Sequence, residues 1–394
     1  MKLETPHPVA ARAAVRDLTA SKIRELFNAG IGRKDIVAFW VGEPDEPTPG
    51  FIRRAGIASI EAGEVFYSSN YGIAELREAL AAYVTRLHRP AVPAEVVVTS
   101  AGVNALMLVS QLLLDPGDRV VEVGPLWPNQ QEIPRILNAH VQTVALEFSP
   151  AGWRLDLQKL LDALKPGTRA LYLNSPNNPT GWTVSREEQR AILEHCRRRG
   201  IWIFADDAYE RLYYEGNNIA PSFLDLADAG ERVISTNTFS KSWLMTGWRL
   251  GWAVLPAALE ADMGKLVEYN TSCAPVFVQR AGLAAVTQGE PVIAHTLERF
   301  RKARDFLVRE LRTIPGVEVA SPSGTMYAFF RVRGMRDSLA FCRKLVAEHG
   351  LGLAPGAAFG PESEGYVRWC FAADTPKLAK GVARLRKALG ASAR

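Results

Sequence analysis

From about residue 95 the chain alternates short runs of aliphatic and β-branched residues with longer stretches of helical periodicity. Such alternation is typical of a mostly parallel sheet with helices packed on both faces. Between the fourth and fifth runs, Ser185 and Glu188 form a capping-box sequence that predicts a helix ending near Arg199. The pattern predicts seven strands, at residues 96–99, 119–123, 141–144, 170–173, 201–205, 233–235 and 251–254.

The pattern changes after about residue 290. A long charged helix is predicted from Glu298 to Leu311, followed by two short strands, another helix and a further strand near Val367. Thr375-Pro376 indicates the start of a last helix. This order of elements predicts a second, smaller α+β domain.

The first 45 residues precede the sheet pattern and contain one amphipathic helix, around Ala20 to Ala29. We expect this segment to pack with the smaller domain. The predicted division is therefore a large domain at residues 46–290 and a small domain formed by residues 1–45 and 291–394. A chain of 394 residues with 47% hydrophobic residues is long enough to bury the cores of two such domains.

The formal net charge of +5 is modest for this length. The densest basic run, Arg197-Arg198-Arg199, falls at the end of a predicted helix, where cations interact favourably with the helix dipole. The charge pattern therefore does not favour nucleic-acid binding. A mild positive balance suits small anionic ligands such as phosphates and carboxylates.

Membrane insertion and secretion are also disfavoured by the sequence. No apolar run reaches the roughly 18 residues that a bilayer span needs. The N-terminal residues Met1 to Pro6 lack the apolar core of a signal peptide. The four cysteines are scattered without paired spacing, which suggests neither a zinc site nor a disulfide framework. We expect a cytoplasmic protein without a bound metal.

Polar residues follow the ends of the predicted strands, where ligands bind in open parallel sheets. Amide, carboxylate, phenol, amine and guanidinium groups are all present there. They lie in Asn174 to Gly181, Asp206 to Tyr209, Thr238 to Lys241 and Thr246 to Arg249.

These four segments contain three motifs that resemble those of the class I and II aminotransferases, which are fold-type-I enzymes dependent on pyridoxal phosphate. Ser240-Lys241 followed by Thr246-Gly247-Trp248-Arg249-Leu250-Gly251 resembles the cofactor-lysine signature. Asn178-Pro179-Thr180-Gly181 and the pair Asp206 and Tyr209 resemble two further motifs, in the same order. The resemblance extends from Gly42-Glu43-Pro44-Asp45 to Tyr366-Val367-Arg368. It implies transfer of an amino group from an L-amino acid to a 2-oxo acid.

The resemblance gives each group of the cofactor a partner. Lys241 would hold the aldehyde as a Schiff base and, once displaced by substrate, would move a proton at the substrate α-carbon. Asp206 would pair with the ring nitrogen and keep it protonated, whereas Asp207 is expected to be structural. Tyr209 and Asn178 would donate to the ring oxygen, and Trp127 would stack on the ring.

The cofactor phosphate needs backbone donors at a helix start and a cation. The first strand leads through Thr99-Ser100 into an apolar helix, which provides such a start. The resemblance places the phosphate contacts on Ala101, Gly102, Val103, Thr238, Ser240 and Arg249. Some relatives have glycine at the first of these positions and a hydroxyl or a lysine at the third. Val103 can therefore offer only its backbone amide.

Substrate and assembly residues are also implied by the resemblance. Arg368 would hold the substrate α-carboxylate with the two parallel bonds of its guanidinium. The backbone of Gly42 and the side chain of Asn178 would assist it. Tyr67 resembles a tyrosine that reaches the cofactor phosphate of the other subunit, which implies a homodimer with shared sites. The alternative is a tyrosine packed within its own subunit.

Other enzyme and protein classes fit this sequence less well. Gly30-Ile31-Gly32 does not follow a strand and lacks the third glycine of a dinucleotide-binding motif. A non-catalytic transcription regulator would need an additional DNA-binding domain. Another reaction on the same scaffold, such as β-elimination from a cysteine conjugate, would use the same residues and stays open. Trp40, Trp127 and Tyr327 favour apolar or aromatic donors, although aspartate, alanine and branched-chain amino acids remain possible.

Overall fold

The computed structural model describes residues 9–390, so Met1 to Pro6, the segment without a signal-peptide core, lie outside the described residues. Its strands are β1 Val37–Ala38, β2 Val96–Thr99, β3 Arg119–Gly124, β4 His140–Ala145, β5 Glu147–Ser149, β6 Gly152–Arg154, β7 Thr168–Asn174, β8 Trp202–Asp206, β9 Val233–Thr238, β10 Gly251–Val254, β11 Val317–Val319, β12 Tyr327–Val332, β13 Leu351–Gly352, β14 Ala354–Pro355 and β15 Tyr366–Cys370.

The helices connect and cover these strands. They are α1 Ala13–Arg16, α2 Lys22–Ala29, α3 Gly50–Glu61, α4 Ala74–Leu87, α5 Gly102–Leu113, α6 Pro128–Ile136, α7 Leu157–Ala163, α8 Arg186–Arg199, α9 Phe239–Ser242, α10 Glu260–Glu268, α11 Val276–Gln288, α12 Glu290–Arg312, α13 Ser338–His349 and α14 Thr375–Ala388. None of the helices within residues 9–390 combines the length and apolar character needed to cross a bilayer.

The central sheet has seven strands in the order β2-β10-β9-β8-β7-β3-β4. Strand β10 is antiparallel to both of its neighbours, and the other adjacent pairs are parallel. All seven predicted strands are therefore confirmed, as a mostly parallel sheet. The sixth strand extends three residues beyond its predicted end, because Thr236, Asn237 and Thr238 are polar but buried within it.

Alternate residues of each central strand pack into two different cores, as the two-residue period of a strand requires. Val96 and Val98 belong to one buried cluster, and Val97, which lies between them, belongs to another. The first cluster includes residues of α4, α8 and α11, whereas the second includes residues of α5, α6 and α10. The predicted α/β sheet with helices on both faces is thus confirmed.

The C-terminal part forms a four-stranded sheet in the order β11-β12-β15-β14, with all its pairs antiparallel. The predicted long helix starts at Glu290, eight residues before Glu298. The prediction was wrong there because it began at the charged stretch, whereas the helix already buries Ile293 and Leu297 upstream. Pro291 is tolerated in its first turn.

The N-terminal segment packs against this C-terminal part. Val37 pairs with Leu351 in a short parallel sheet. Leu26 and Phe39 lie in the same buried cluster as Trp369, and the rings of Phe39 and Trp369 are 4.8 Å apart. The predicted amphipathic helix is α2, whose N-cap is Ser21.

Candidate active site

A cavity of about 600 Å³ lies at the carboxyl ends of the central strands, between them and the C-terminal part of the chain. Twelve of the fourteen site residues predicted from the sequence line it: Gly42, Gly102, Val103, Trp127, Asn178, Asp206, Tyr209, Thr238, Ser240, Lys241, Arg249 and Arg368. The remaining two are Ala101, which is buried next to Gly102, and Tyr67, which lies on the surface.

Lys241 lies in the short helix α9, directly after β9. Thr238 caps this helix, because its hydroxyl accepts from the backbone N–H of Ser240 over 3.1 Å. Nζ of Lys241 donates to the carbonyl of Gly42 over 2.6 Å. Burial, and to a smaller extent the positive charges of Arg368 and Arg249, lower the pKa of Lys241 to about 8. A larger fraction of the amine is therefore neutral at physiological pH than for an ordinary lysine, although the ammonium form still predominates.

Asp206 is the last residue of β8 and is buried. Its Oδ2 accepts from Nε2 of Gln130 over 2.8 Å, and its Oδ1 accepts from the backbone N–H of Ala208 over 3.2 Å. Burial raises the pKa of Asp206 to about 6, because the carboxylate has left water. A cationic partner in the cavity would favour its ionised form.

Gln130 was not predicted from the sequence as a site residue. This residue lies in α6, one helical turn after Trp127, and is 3% exposed. Its Oε1 is a buried atom without a hydrogen-bond partner within residues 9–390. The available signal was its position: a polar residue three places after an aromatic residue at a helix start lies on the same helix face.

The neighbouring Asp207 bonds to other parts of the chain. Its Oδ2 accepts from the hydroxyls of Ser235 and Ser222 over 2.6 and 3.0 Å. Consecutive side chains leave a strand on opposite faces, so Asp206 and Asp207 do not meet the same surroundings. Asp207 does not line the cavity, and these contacts support its assignment as structural.

Tyr209 and Tyr327 bond to each other through their hydroxyls over 2.9 Å. Burial raises the pKa of Tyr209 well above its usual value, so the phenol stays protonated and can donate. A Cβ atom at position 42 would lie 1.9 Å from the hydroxyl oxygen of Tyr327. Only glycine therefore fits at Gly42, where the backbone passes directly over the tyrosine.

Arg368 lies on β15 and is only 2% exposed. One terminal nitrogen donates to Oδ1 of Asn178 over 2.9 Å and the other donates to the carbonyl of Trp40 over 2.6 Å. Its guanidinium also lies over the ring of Tyr327, 4.3 Å from the centroid. Because a guanidinium has five N–H donors, these contacts fix its plane and leave donors for a carboxylate.

Helix α5 provides the backbone amides of an anion site, since it begins at Gly102 at the end of β2. Its N-cap, Ala101, has φ of 137°, a conformation that favours glycine. This explains physically why glycine suits this position in relatives. Thr238 donates to the hydroxyl of Ser240 over 2.9 Å, and Arg249 donates to the carbonyl of Thr246 over 2.7 Å on the same side of the cavity.

The residues that line the cavity fit pyridoxal phosphate. The lining offers a buried amine, a buried carboxylate, a protonated phenol and an amide, together with helix-start amides, hydroxyls and a guanidinium. These are the partners that an aldehyde, a ring nitrogen, a ring oxygen and a phosphate need.

Tyr67 does not reach the cavity of its own chain, and its side chain is 87% exposed. Phe66 and Val65, which precede it, are also exposed. This segment lies beside α10, because Nδ2 of Asn70 donates to the carbonyl of Gly264 over 2.9 Å. A tyrosine packed inside its own subunit does not agree with this exposure.

Comparison with known proteins identifies relatives along almost the whole chain. The family model for aminotransferase class I and II matches residues 34–385. The aspartate aminotransferase of Pyrococcus horikoshii is 33% identical over 377 residues, covering 94% of each chain. The arginine–pyruvate transaminase AruH of Pseudomonas aeruginosa is 34% identical over 85% of each chain. The crystal structure of a Thermotoga maritima aspartate aminotransferase is 31% identical, with a TM-score of 0.89 over 97% of this chain and 100% of that one.

Proposed function

Because the chain belongs to the aminotransferase class I and II family, we propose that Lys241 holds the cofactor and carries the proton in amino-group transfer. The protein is a pyridoxal-phosphate-dependent aminotransferase with a fold-type-I architecture, and its substrates are amino acids and 2-oxo acids. The open alternative, a β-elimination, gains no support from the aminotransferase relatives. The observation that carries the proposal is the buried amine of Lys241, with its pKa lowered to about 8, inside the cavity.

When bound, pyridoxal phosphate supplies an aldehyde for amines and a ring that accepts the electron pair released at the substrate α-carbon. Lys241 would hold that aldehyde through Nζ and, once free, would move a proton between the substrate α-carbon and C4′ of the cofactor. Its lowered pKa keeps Nζ able to accept a proton near neutral pH. The carbonyl of Gly42 orients the amine by accepting its hydrogen bond.

Asp206 would pair with the ring nitrogen and keep it protonated, and Gln130 holds the carboxylate in position. An ion pair at about 4 Å contributes roughly 4 kcal/mol at an effective dielectric near 20, which is enough to hold a pyridine protonated at neutral pH. Tyr209 and Asn178 donate to the ring oxygen. Since Oδ1 of Asn178 accepts from Arg368, its Nδ2 is the atom that donates.

The substrate α-carboxylate binds Arg368, whose plane is already fixed by Asn178 and the carbonyl of Trp40. The phosphate binds the amides of Ala101, Gly102 and Val103, together with the side chains on the other side of the cavity: Thr238, Ser240 and Arg249. Trp127 would stack on the ring and exclude water.

The active unit is a homodimer in which Tyr67 of one subunit completes the phosphate site of the other. The large apolar side chains exposed in α3, directly before Tyr67 and directly after α10 support this proposal, because exposed apolar groups often mark an interface. They include Ile57, Ile60, Val65, Phe66 and Tyr269.

The division into a large domain at residues 46–290 and a small domain at 1–45 and 291–394 is part of the proposal. It is supported by the burial of Leu26 of α2 in one cluster with C-terminal residues and by the pairing of β1 with β13. The first eight and last four residues of that small domain lie outside the described residues. The cytoplasmic location stays a prediction from the sequence.

Borohydride reduction of the purified protein, followed by peptide mapping, tests the proposal. We expect a reduced cofactor adduct on the peptide that contains Lys241, and none in Lys241→Ala. Lys265→Ala is the matched control, because Lys265 is an exposed lysine paired with Asp262 outside the cavity. An adduct on another lysine would overturn the assignment of the whole site.

A further inference from the structure

A second cavity of about 510 Å³ adjoins the active-site cavity. Ser21, Val103 and Asn129 line both cavities, so the two spaces meet at these three residues. The second cavity lies between the start of α2, helix α6 and the segment at residues 357–361. Among the residues that line it, only Val103 is assigned a cofactor contact above, and that contact uses its backbone amide.

The walls of the second cavity are largely apolar. Its lining includes Met107, Pro128, Ile133, Ile136, Ala358 and Pro361. Two of its charged residues, Glu132 and Arg135, neutralise each other in an ion pair of 3.1 Å. Lys22 donates to the carbonyl of Ala357 over 3.1 Å and has no carboxylate partner within residues 9–390. The second cavity is therefore largely apolar, and Lys22 gives it a weak positive charge.

We propose that the side chain of the amino donor passes between Ser21, Val103 and Asn129 and ends in this second cavity. The donors are then L-amino acids with long apolar or aromatic side chains. A donor with a distal cation is disfavoured, because its charge would leave water for an apolar chamber next to Lys22. This inference rests on the proposed function, since it takes Arg368 and Lys241 as the groups that hold the α-carbon.

Val103 makes the connection between the two cavities suitable for a long apolar side chain. An apolar residue there leaves the connection uncharged, whereas a lysine at this position would place an ammonium group at the junction. A methylene moved from water into an apolar site contributes about 0.8 kcal/mol, which is about fourfold in affinity. The longest ligand hydrocarbon chain that still gains affinity with each added methylene therefore measures how far the substrate site extends.

Binding of inert carboxylates to the holoenzyme gives a readout that does not depend on turnover. Acetate, butanoate, hexanoate and octanoate would be titrated by calorimetry. We expect affinity to rise by about fourfold for each added CH₂ through octanoate. A plateau at butanoate would overturn the inference, because it would show that the site ends before the second cavity.

Variants with larger side chains in the second cavity provide the second test. Ala358→Phe and Met107→Trp each place a larger side chain in the second cavity without changing a residue of the active-site cavity. Each should lower kcat/KM for phenylalanine and norleucine at least tenfold and leave kcat/KM for alanine within about twofold. A blocked second cavity can no longer bury the last carbon atoms of a long donor side chain, whereas alanine has none to bury. Ala383→Phe is the control, because it fills a different surface cavity of about 540 Å³.

The outcomes separate the two proposals. If the variants still transaminate alanine but lose activity toward phenylalanine and norleucine, the proposed role of the second cavity is supported. An equal fall for alanine and for the long donors in both variants would overturn it, while the proposed function would still stand on the wild-type activity. Failure of wild-type protein to transaminate any donor would instead overturn the proposed function.

Discussion

Nε2 of Gln130 donates to Oδ2 of Asp206 over 2.8 Å, and both side chains are buried. The bond joins the start of α6 to the end of β8, two elements that are far apart along the chain. Asp206 must ionise against the cost of its burial, which raises its pKa to about 6. A buried amide that donates to the carboxylate offsets part of that cost and fixes the orientation of its two oxygens.

Replacing Gln130 should therefore weaken proton transfer without preventing cofactor binding. Hydrogen bonds to charged groups contribute about 1.5–3 kcal/mol, so Gln130→Leu should lower kcat by about 10- to 100-fold. Single-turnover kinetics would measure this fall, and cofactor titration would check that binding is retained. As the Asp206 carboxyl loses a donor, the acidic limb of the pH–rate profile should also move to higher pH.

Gln189→Leu is a matched control for this variant. Gln189 is also a buried glutamine whose Nε2 donates one bond, to the carbonyl of Pro221 over 3.0 Å, and whose Oε1 has no partner within residues 9–390. It lies in α8 and does not line the cavity. A similar fall in kcat in both variants would mean that Gln130 contributes only to stability.

Substitution of the two adjacent aspartates should affect different properties, proton transfer for Asp206 and stability for Asp207. Asp206→Ala removes the partner of the ring nitrogen, worth roughly 4 kcal/mol, so proton transfer should slow by about a thousandfold while cofactor still binds. Asp207→Ala should lower the melting temperature, because it leaves the hydroxyls of Ser222 and Ser235 without their acceptor, and should leave kcat within about threefold. Reversed effects would show that the register of the site is wrong by one residue.

The sequence predicted the parts of this molecule whose signals are local. The strand runs and the capping box at Ser185 and Glu188 are short stretches of sequence, and the structure shows the strands and the helix that they predict. Gln130 and the second cavity were not predicted, because each depends on which side chains from distant elements point into one space. The start of α12 was misplaced for a related reason, since burial rather than charge determines where that helix begins.

Arg368→Lys keeps a positive charge but loses the planar pair of donors. It also removes donors from Asn178 and from the carbonyl of Trp40. We expect kcat/KM to fall by about 10- to 100-fold, the equivalent of about 1.5–3 kcal/mol, with unchanged cofactor absorbance. Arg211→Lys is the control, because Arg211 is buried and paired with Glu290 outside the cavity. Kinetics unchanged in Arg368→Lys would place Arg368 outside the substrate site.

The rate at which apoenzyme captures pyridoxal phosphate should follow the ionisation of Lys241. Only the neutral amine attacks an aldehyde, and a pKa lowered from 10.5 to about 8 means that the neutral form appears at lower pH than for an ordinary lysine. The rate should rise with pH and level off above about pH 8, falling about tenfold per pH unit below it. Stopped-flow absorbance would measure this profile. A midpoint near 10.5 would contradict the prediction, whereas Arg368→Met should raise the midpoint by removing a cation.

The proposed sharing of sites between subunits predicts that two inactive variants restore each other. Lys241→Ala subunits lack the amine that holds the cofactor. Tyr67→Ala subunits should hold cofactor poorly, because the site in the partner loses a phosphate donor. Each homodimer is expected to be nearly inactive, which assays of cofactor content and transamination would establish before mixing.

In a mixed dimer, one site combines Lys241 from one chain with Tyr67 from the other, and the second site carries both defects. Random exchange in an equal mixture makes half of the dimers mixed, so activity should approach about a quarter of the wild-type value. Phe66→Ala replaces Tyr67→Ala in the control, because Phe66 is the adjacent residue and is similarly exposed, at 81%. That variant should bind cofactor normally by itself, so mixing it with Lys241→Ala should produce no gain beyond its own activity. If Tyr67 acts only within its own chain, no site in a mixed dimer contains both intact residues, and mixing Lys241→Ala with Tyr67→Ala will restore nothing.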